Sequence, residues 1–561
     1  MSLIEVGMGA VEIRANIAGT IGVLIRGLEV GDDAADAIED AHLIAKVTSS
    51  YVILPPFEVT LSRPVRVNKL RGFPGLSKIN VSNITMGTYP LSQFCIVNEH
   101  WSTAYNSATA DNCAFEGFEI STTPTKAHAL IGLANVNFVD VDRCVFRANR
   151  ALDGSSKPYS VDSLLDFYAC VRGGHVTRSK FYQHTGAYGA TRVSAGGGGC
   201  IWVRNLSANG SLADNVTENI LIEDNDFFHY TSDECVAVFG VRGVARRNKF
   251  TGNRVFSLEA SDLGLASSET IYRASLLSIF PLDDGSGANL GNTAAVYDNE
   301  FSDNEIVDKS TLYNTIRIGN TPDAARVCQN NRSRRNKVSF KFWSDATYGH
   351  TAVWTAAGAV GASPATANIP IRCIEGTAGT AYTGTFSGNV SEDDEVATAS
   401  GSAIITSGWS GWQLVKNGRS RGSLTAAVRS CTNVQGGQYE SSLQAFVDCL
   451  SVLGTYSKIN SATATVHSHF VINSAVGGTY SFNGSINSGG SACYIGSGAG
   501  ASTVANLTGV TGNIGAFAAL SNNKSGAVIS AHGNYVTGAS AASEGVGTFK
   551  KSGNTWGATD E

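Results

Sequence analysis

The chain has 561 residues, is 43% hydrophobic and carries a formal net charge of −6 with a pI near 6.0. That length exceeds one ordinary globular domain. The acidic balance offers no footprint for nucleic acid, and no apolar run approaches the roughly 18 residues a membrane span needs.

Glycine is abundant at 62 residues, and short Val/Ile/Phe runs broken by Gly, Asn, Ser and Asp read as all-β. Residues 1–31 look strand-forming and lack a basic stretch followed by an apolar block, so no secretory signal is expected. "DDAADAIEDAHLIA" (32–45) is the best helix in the chain. Ala34, Ala37, Ile38, Ala41, Ile44 and Ala45 share one face, and Asp32 or Asp33 can cap it. A helix over 33–46, ahead of "YVILPPFEVTLSRPVRV" (51–67) and "LRGFPGLSKINV" (70–81), is expected to cap the open end of the β unit that follows.

One short pattern then returns along the chain: "VDRCVFRAN" (141–149), "VTRSKFYQH" (176–184), "IEDNDFFHY" (222–230), "VARRNKFTGN" (244–253), "VYDNEFSDN" (296–304) and "SRRNKVSFK" (333–341). Taking Cys113, Cys144, Ser179, Asn225, Asn248, Asn299 and Asn336 as rungs, the spacing never falls below 23 residues while the excess varies freely. A fixed minimum with variable excess is the mark of a solenoid with loops inserted at its corners. A second strand-like run falls between rungs, at 164–170, 200–206, 235–241, 274–280 and 314–320. The expected fold is a right-handed parallel β-helix over 32–345. Coils stacked about 4.8 Å apart would put Phe over Phe. Each Asn would occupy a left-handed corner and bond the next Asn in the column.

After about residue 345 the character changes. Between 451 and 550 only Lys458, Lys524, Glu544 and Lys550 are charged. The 346–561 region is expected to be a β-rich C-terminal domain, its uncharged surface buried against sister subunits or forming a hydroxyl-rich wall for carbohydrate. The 11 cysteines are scattered, with no CxxC and no metal-ligand spacing. Buried free thiols made in a reducing compartment are expected, with no metal and no cofactor.

The first two-thirds of the chain resembles a bacteriophage tailspike of the β-helix type, on the "GDDAADAIEDAHLIA" helix, the "LRGFPGLSKI" turn and the Asn/Phe ladder from 113 to 338. The resemblance implies a homotrimeric spike on the phage tail. Such a spike is assembled in the host cytoplasm and acts at the bacterial surface, binding and cutting a surface polysaccharide. Residues 1–31 would attach it to a tail or baseplate protein. More narrowly, "SDECVAVFG" (232–240) resembles the Asp-Asp-Cys-Ile/Val-Ala strand of polygalacturonases. That places Asp233 and Glu234 at the paired acids, and "TIRIG" places Arg317 on the substrate. Here the second acid is Glu, and no Gly-His-Gly lies between the motifs.

Glycoside hydrolysis needs two carboxylates across the bond, one protonated and one ionised. Asp233 leads, with Glu234, Asp166 in "LLDFYAC" and Asp283 in "IFPLDDGSG" as further candidates. Trp202 and Arg204 alternate in "CIWVRN" and therefore share a face, a plausible sugar platform. His229 and Tyr230 precede the acids closely and are candidate substrate contacts. Trp409 and Trp412 read as core or interface, and the acidic run 392–395 as a solvated loop. The alternatives are a polysaccharide lyase, with Arg204, Arg242 or Arg317 neutralising a uronate, a non-catalytic receptor-binding spike, and a monomeric pectinase-like enzyme.

Overall fold

The computed structural model describes residues 4–5, 10–15, 21–25, 27–84, 94–101, 111–122, 127–149, 161–184, 198–205, 216–231, 234–240, 243–265, 273–281, 294–309, 311–319, 327–340, 371–373, 385–398, 405–421, 424–441, 443–460, 468–487, 490–514 and 518–557. Each coil lays strands on three long faces, and each strand pairs in parallel with its counterparts one coil before and one coil after. Face I runs from Phe94–Val97 through Val161–Val171, Gly199–Asn205, Val236–Gly240 and Arg273–Pro281 to Ala541–Gly545. Face II runs from Tyr51–Ile53 through Gly174–Thr177 and Ile220–Glu223 to Thr548–Ser552. Face III runs from Glu58–Thr60 through Lys180–Gln183 and Asp226–His229 to Thr555–Gly557. This is the parallel β-helix, wound in the right-handed sense that parallel crossovers take. A short fourth ladder, from Val216–Glu218 to Thr385–Ser387, is inserted between faces I and II.

Stacking in register puts like side chains over like. Leu165, Ile201, Val236, Leu277 and Ile316 form one fully buried column of face I. On face III, Phe146 stacks on Phe181 and Phe181 on Phe227, with both centroid separations 4.8 Å and planes within 6°. Each buried ring contributes about 1.5–3 kcal/mol of burial.

The asparagines form two columns rather than the single one expected. Ser179, Asn225, Asn253, Asn304, Asn336 and Asp394 line the turn between faces II and III. Asn248, Asn299, Asn331 and Asn389 line the turn entering face II. In each column the Oδ1 of one Asn accepts both the backbone N–H and the Nδ2 of its neighbour, as Asn253 does from Asn225 at 3.0 Å each. The left-handed residue is the one before the Asn: Asp224 (φ 55°), Arg247 (53°), Asp303 (57°) and Arg335 (51°). The Asn itself points inward, because an Asn ladder needs its amide among the buried N–H groups of the bend. Cys113 is not a rung; it lies mid-strand, opposite Val139.

Outside, the stacking rule changes. Along face III the aligned residues Lys180, Asp226, Arg254, Glu305, Lys337, Glu395 and Arg419 alternate in sign. Like charges one strand apart repel and opposite charges attract. Arg254 accordingly binds Asp226 at 2.6 Å.

The helix spans Ala35–Val47 and buries Ala35, Ile38, Ala41 and Ala45. It packs against Ile21–Ile25, Tyr51–Ile53 and Val65–Arg66. Asp33 Oδ1 accepts the Ala35 N–H at 3.1 Å. The described strands of residues 1–31 join this unit. Ala10–Ala15 pairs antiparallel with Ile21–Ile25, which pairs in parallel with Tyr51–Ile53. Val23 and Ile25 join the main core.

The three ladders also run on through the described residues after 370: Arg332–Arg334 pairs with Val390–Glu392, and pairing continues coil by coil to residue 557. Trp409 and Trp412 are fully buried core residues. Among the described residues ten cysteines are buried thiols outside any disulfide. Burial pushes the Cys144 thiol up to about 12, which keeps it neutral and unreactive.

Candidate functional site

The turn from face II to face III holds only two residues in coil after coil, as between Glu223 and Asp226, Thr251 and Arg254, or Ser302 and Glu305. The length variation sits at the ends of face I. Gln183 to Gly199 and Ser257 to Arg273 lead into it, and Asn205 to Val216 and Pro281 to Ala295 lead out. Variable connections on a rigid scaffold are where binding and catalytic groups concentrate. Face I is therefore the side on which such groups would gather.

Its outer surface gathers rings, guanidinium groups and carboxylates. Asp166, Trp202, Ala237, Ser278 and Arg317 align in one row, and Arg204, Phe239 and Phe280 in the next. Arg204 grips Asp166 with two bonds, Nε to Oδ1 at 3.0 Å and Nη2 to Oδ2. The same guanidinium lies 4.7 Å from the Trp202 ring centroid and 5.0 Å from that of Tyr168. Trp202 meets Phe239 edge-on at 5.8 Å, and Phe239 stacks on Phe280 at 5.6 Å. One coil further, Arg317 Nη2 donates to Glu234 Oε1 at 2.8 Å and sits 4.6 Å from the Phe280 ring.

The structure brings Trp202, Arg204, Glu234 and Arg317 to one surface, although Glu234 and Arg317 are 83 residues apart. Trp202 and Arg204 share the outer side as their alternation predicts. Asp166 faces outward too, but it is fully buried beneath Arg204 rather than open along a groove. A buried carboxylate held by a bidentate guanidinium is a structural ion pair, costly to break. His229 and Tyr230 are corrected from substrate contacts to interior residues, both at 0% exposure. Strand alternation turns His229 inward with Phe227, in a column with Gln183, Ser257 and Asp308. His229 Nε2 lies 3.1 Å from the Gly198 carbonyl oxygen. Asp233 and Asp283 lie outside the described residues.

Two groups of potential metal ligands occur among the described residues. Cys200, His229 and Cys235 lie within 4.8 Å of one another inside the coil, and Glu99, His100 and Asp111 meet near its N-terminal end. Asp111 spends both oxygens on His100 Nδ1 (2.6 Å), Asn98 Nδ2 (2.6 Å) and the His100 N–H (2.8 Å). The Asp166–Arg204 clamp was not legible in sequence, because the inserted loops hide which strands are neighbours.

No protein-family model and no curated protein matches this chain. Several solved structures are similar. The tailspike protein of E. coli bacteriophage HK620, in complex with a pentasaccharide, shares 9% identity over 98% of this chain and 84% of its own, with a TM-score of 0.38. The surface protein and adhesin PfbA of Streptococcus pneumoniae shares 11% identity over 76% of this chain and 95% of its own, with a TM-score of 0.39. The catalytic unit of a GH87 α-1,3-glucanase from Streptomyces thermodiastaticus shares 10% identity over 94% of this chain, which spans 66% of that unit, with a TM-score of 0.32. Likeness this distant transfers no activity.

Proposed function

We propose that the chain is a polysaccharide-binding and polysaccharide-cleaving β-helix of the tailspike kind. In this reading it is a homotrimer carried on a phage tail, attached through residues 1–31 to a tail or baseplate protein. It acts on a bacterial surface polysaccharide at the cell surface. The observation that carries this reading is the coincidence of two features on face I: all the long connections flank it, and the outer side of its sheet presents half-buried Trp202, Arg317 and Glu234 over buried Phe239, Phe280 and Arg204. Aromatic faces beside planar hydrogen-bonding groups suit sugar rings, which present C–H faces and equatorial hydroxyls.

The chemistry is endo-hydrolysis. Asp233 protonates the glycosidic oxygen as the bond to the anomeric carbon breaks. Glu234, with Arg317 on its Oε1, is ready as the ionised partner that takes the proton of the attacking water. Asp283 is the reserve acid, and Asp166 positions Arg204. The test is the size-exclusion profile of candidate capsular and O-antigen polysaccharides after incubation. The unaltered protein shortens one of them, and Asp233→Asn slows this by about 100-fold or more. New unsaturated ends absorbing in the ultraviolet would replace hydrolysis by β-elimination. Unchanged polymer length with retained binding would leave a receptor-binding spike. A sedimentation mass of one chain would remove the spike reading.

A further inference from the structure

A second surface lies away from face I, along the turn between faces II and III. Seven successive coils, from Arg335 to Thr511, line an open groove of about 770 Å³ there. At roughly 4.8 Å per coil it runs about 29 Å along the axis. Its floor is bare because the turn is glycine in several consecutive coils: Gly437, Gly454, Gly484 and Gly509. At Gly437 the choice is forced, since a Cβ there would stand 2.4 Å from the Gly418 carbonyl oxygen. At Gly454 a Cβ would meet nothing within 4 Å and would project into the open turn.

The walls differ along the length. The N-terminal end carries Arg335, Lys337 and Arg419 against Asp393 and Glu395, so its charges largely offset one another. The C-terminal end carries Gln438, Tyr456, Asn483, Ser485 and Thr511, with no formal charge. Several of these side chains are already fixed. Asn487 Nδ2 donates to Tyr456 Oη at 3.1 Å, Ser485 Oγ and Thr511 Oγ1 are 3.1 Å apart, and Asn483 Nδ2 donates to the Thr508 carbonyl oxygen at 2.6 Å. Preformed walls lower the ordering cost of binding.

We propose that this groove is a second glycan site, separate from face I, that holds an extended run of an uncharged polysaccharide. It rests on the proposed function only in taking the ligand to be a glycan. Three observations select the occupant. The shape is long and concave, suited to a linear chain. The lining is mostly hydroxyl and amide with one tyrosine ring, whereas the centre of a subunit interface is more apolar and richer in aromatic, Met and Arg side chains. With Arg335 also paired to Asp303 at 2.6 Å, three cations meet three carboxylates, so the groove offers a polyanion no net charge. The site lets the protein hold a neighbouring stretch of the polymer while face I works on another, which raises the local concentration of substrate.

The experiment is affinity electrophoresis of the full-length protein in native gels. The gels contain purified bacterial capsular and O-antigen polysaccharides, some neutral and some uronate-rich. A neutral polymer retards the unaltered protein equally at 0.05 and 0.5 M NaCl, since no charge pairing is screened. Ser485→Trp, which fills the groove from an exposed position, weakens this retardation at least 10-fold, and Tyr456→Ala about 5-fold, with unchanged unfolding midpoints. Retardation of both variants equal to that of the unaltered protein overturns the groove. If Trp202→Ala then loses it, the face I reading survives alone. Retardation only by uronate-rich polymers, abolished at 0.5 M NaCl, also overturns the groove. No retardation by any polymer removes both proposals.

Discussion

The coils before residue 340 and those after 405 share three parallel ladders, yet they secure the turn from face II to face III by different means. In the earlier coils the turn carries a buried polar column, Ser179 through Asn336, in which each amide satisfies the backbone of the coil before it. In the later coils the column gives way to Gly418, Gly437 and Thr455. The reason is inside the coil: a Cβ on Gly418 would stand 3.0 Å from the Tyr439 hydroxyl and 3.2 Å from the Trp409 ring. Rings fill the space an amide would need. Asparagine returns only at Asn534 and Asn554, bonded to each other at 2.8 Å. The same fold thus tolerates two solutions. The polar one binds each coil tightly to the next, while the glycine one opens a groove on the outer surface.

The sharpest way to break this contrast is to remove one amide from the polar column. Asn253→Ala leaves the Asn225 N–H and the Ile222 carbonyl without the partners they have at 3.0 and 2.9 Å. A loss of about 3–5 kcal/mol is expected in denaturant unfolding. Thr455→Ala, at the same turn position in the glycine series, should cost less than about 1 kcal/mol. Restoring an amide in the wrong series comes next. Gly437→Asn has φ 91° and the Gly418 carbonyl against it, so a loss of about 2–4 kcal/mol is expected by thermal unfolding.

Asp394 marks the boundary, a carboxyl in an asparagine position. It is fully buried and accepts the Asn336 N–H at 2.8 Å and Asn336 Nδ2 at 3.0 Å. Burial raises its pKa from 3.8 to about 6. Because the folded-state value is the higher one, the folded protein binds the proton more tightly. The cost of ionising Asp394 is absent at pH 3.8 and below, and fully felt once the pH has risen past about 6. Asp394→Asn should therefore stabilise the protein by about 1–3 kcal/mol at pH 7.5, with the gain vanishing towards pH 4. Unfolding midpoints across that range test it. The smallest effect is on the surface. Arg254→Glu, between Asp226 and Glu305, should cost under about 1 kcal/mol, and less in 0.5 M NaCl.

Much of the coil could be read from residue spacing, because stacking forces phenylalanine over phenylalanine and asparagine over asparagine at a fixed minimum period. Two local facts escaped that reading. Asn225 and Asn248 obey one template but occupy different turns, since both bends use a left-handed residue followed by an inward one. Residues 346–561 looked like another kind of structure because their outer faces lost charge, although their inner faces kept the same alternation. The site was less legible. Trp202 and Arg204 could be placed on one face by alternation alone. The pairing of Arg204 with Asp166 depends on which strands the loops bring together, and no spacing encodes that. His229 was misplaced because closeness in sequence to Asp233 and Glu234 says nothing about which way a strand residue points. The groove left only a trail of glycines, which signals a turn and not what lies above it.

The alternating row from Lys180 to Arg419 has a consequence for how the chain winds. Columns of identical residues cannot detect a missing turn: if one rung looped out, Phe would still meet Phe and Asn would still meet Asn. A row that switches sign at every step acts as a parity check, since skipping Asp226 would bring Lys180 against Arg254. Identity in the interior rewards winding of any kind, and opposition on the exterior disfavours a winding in which a single rung has been dropped.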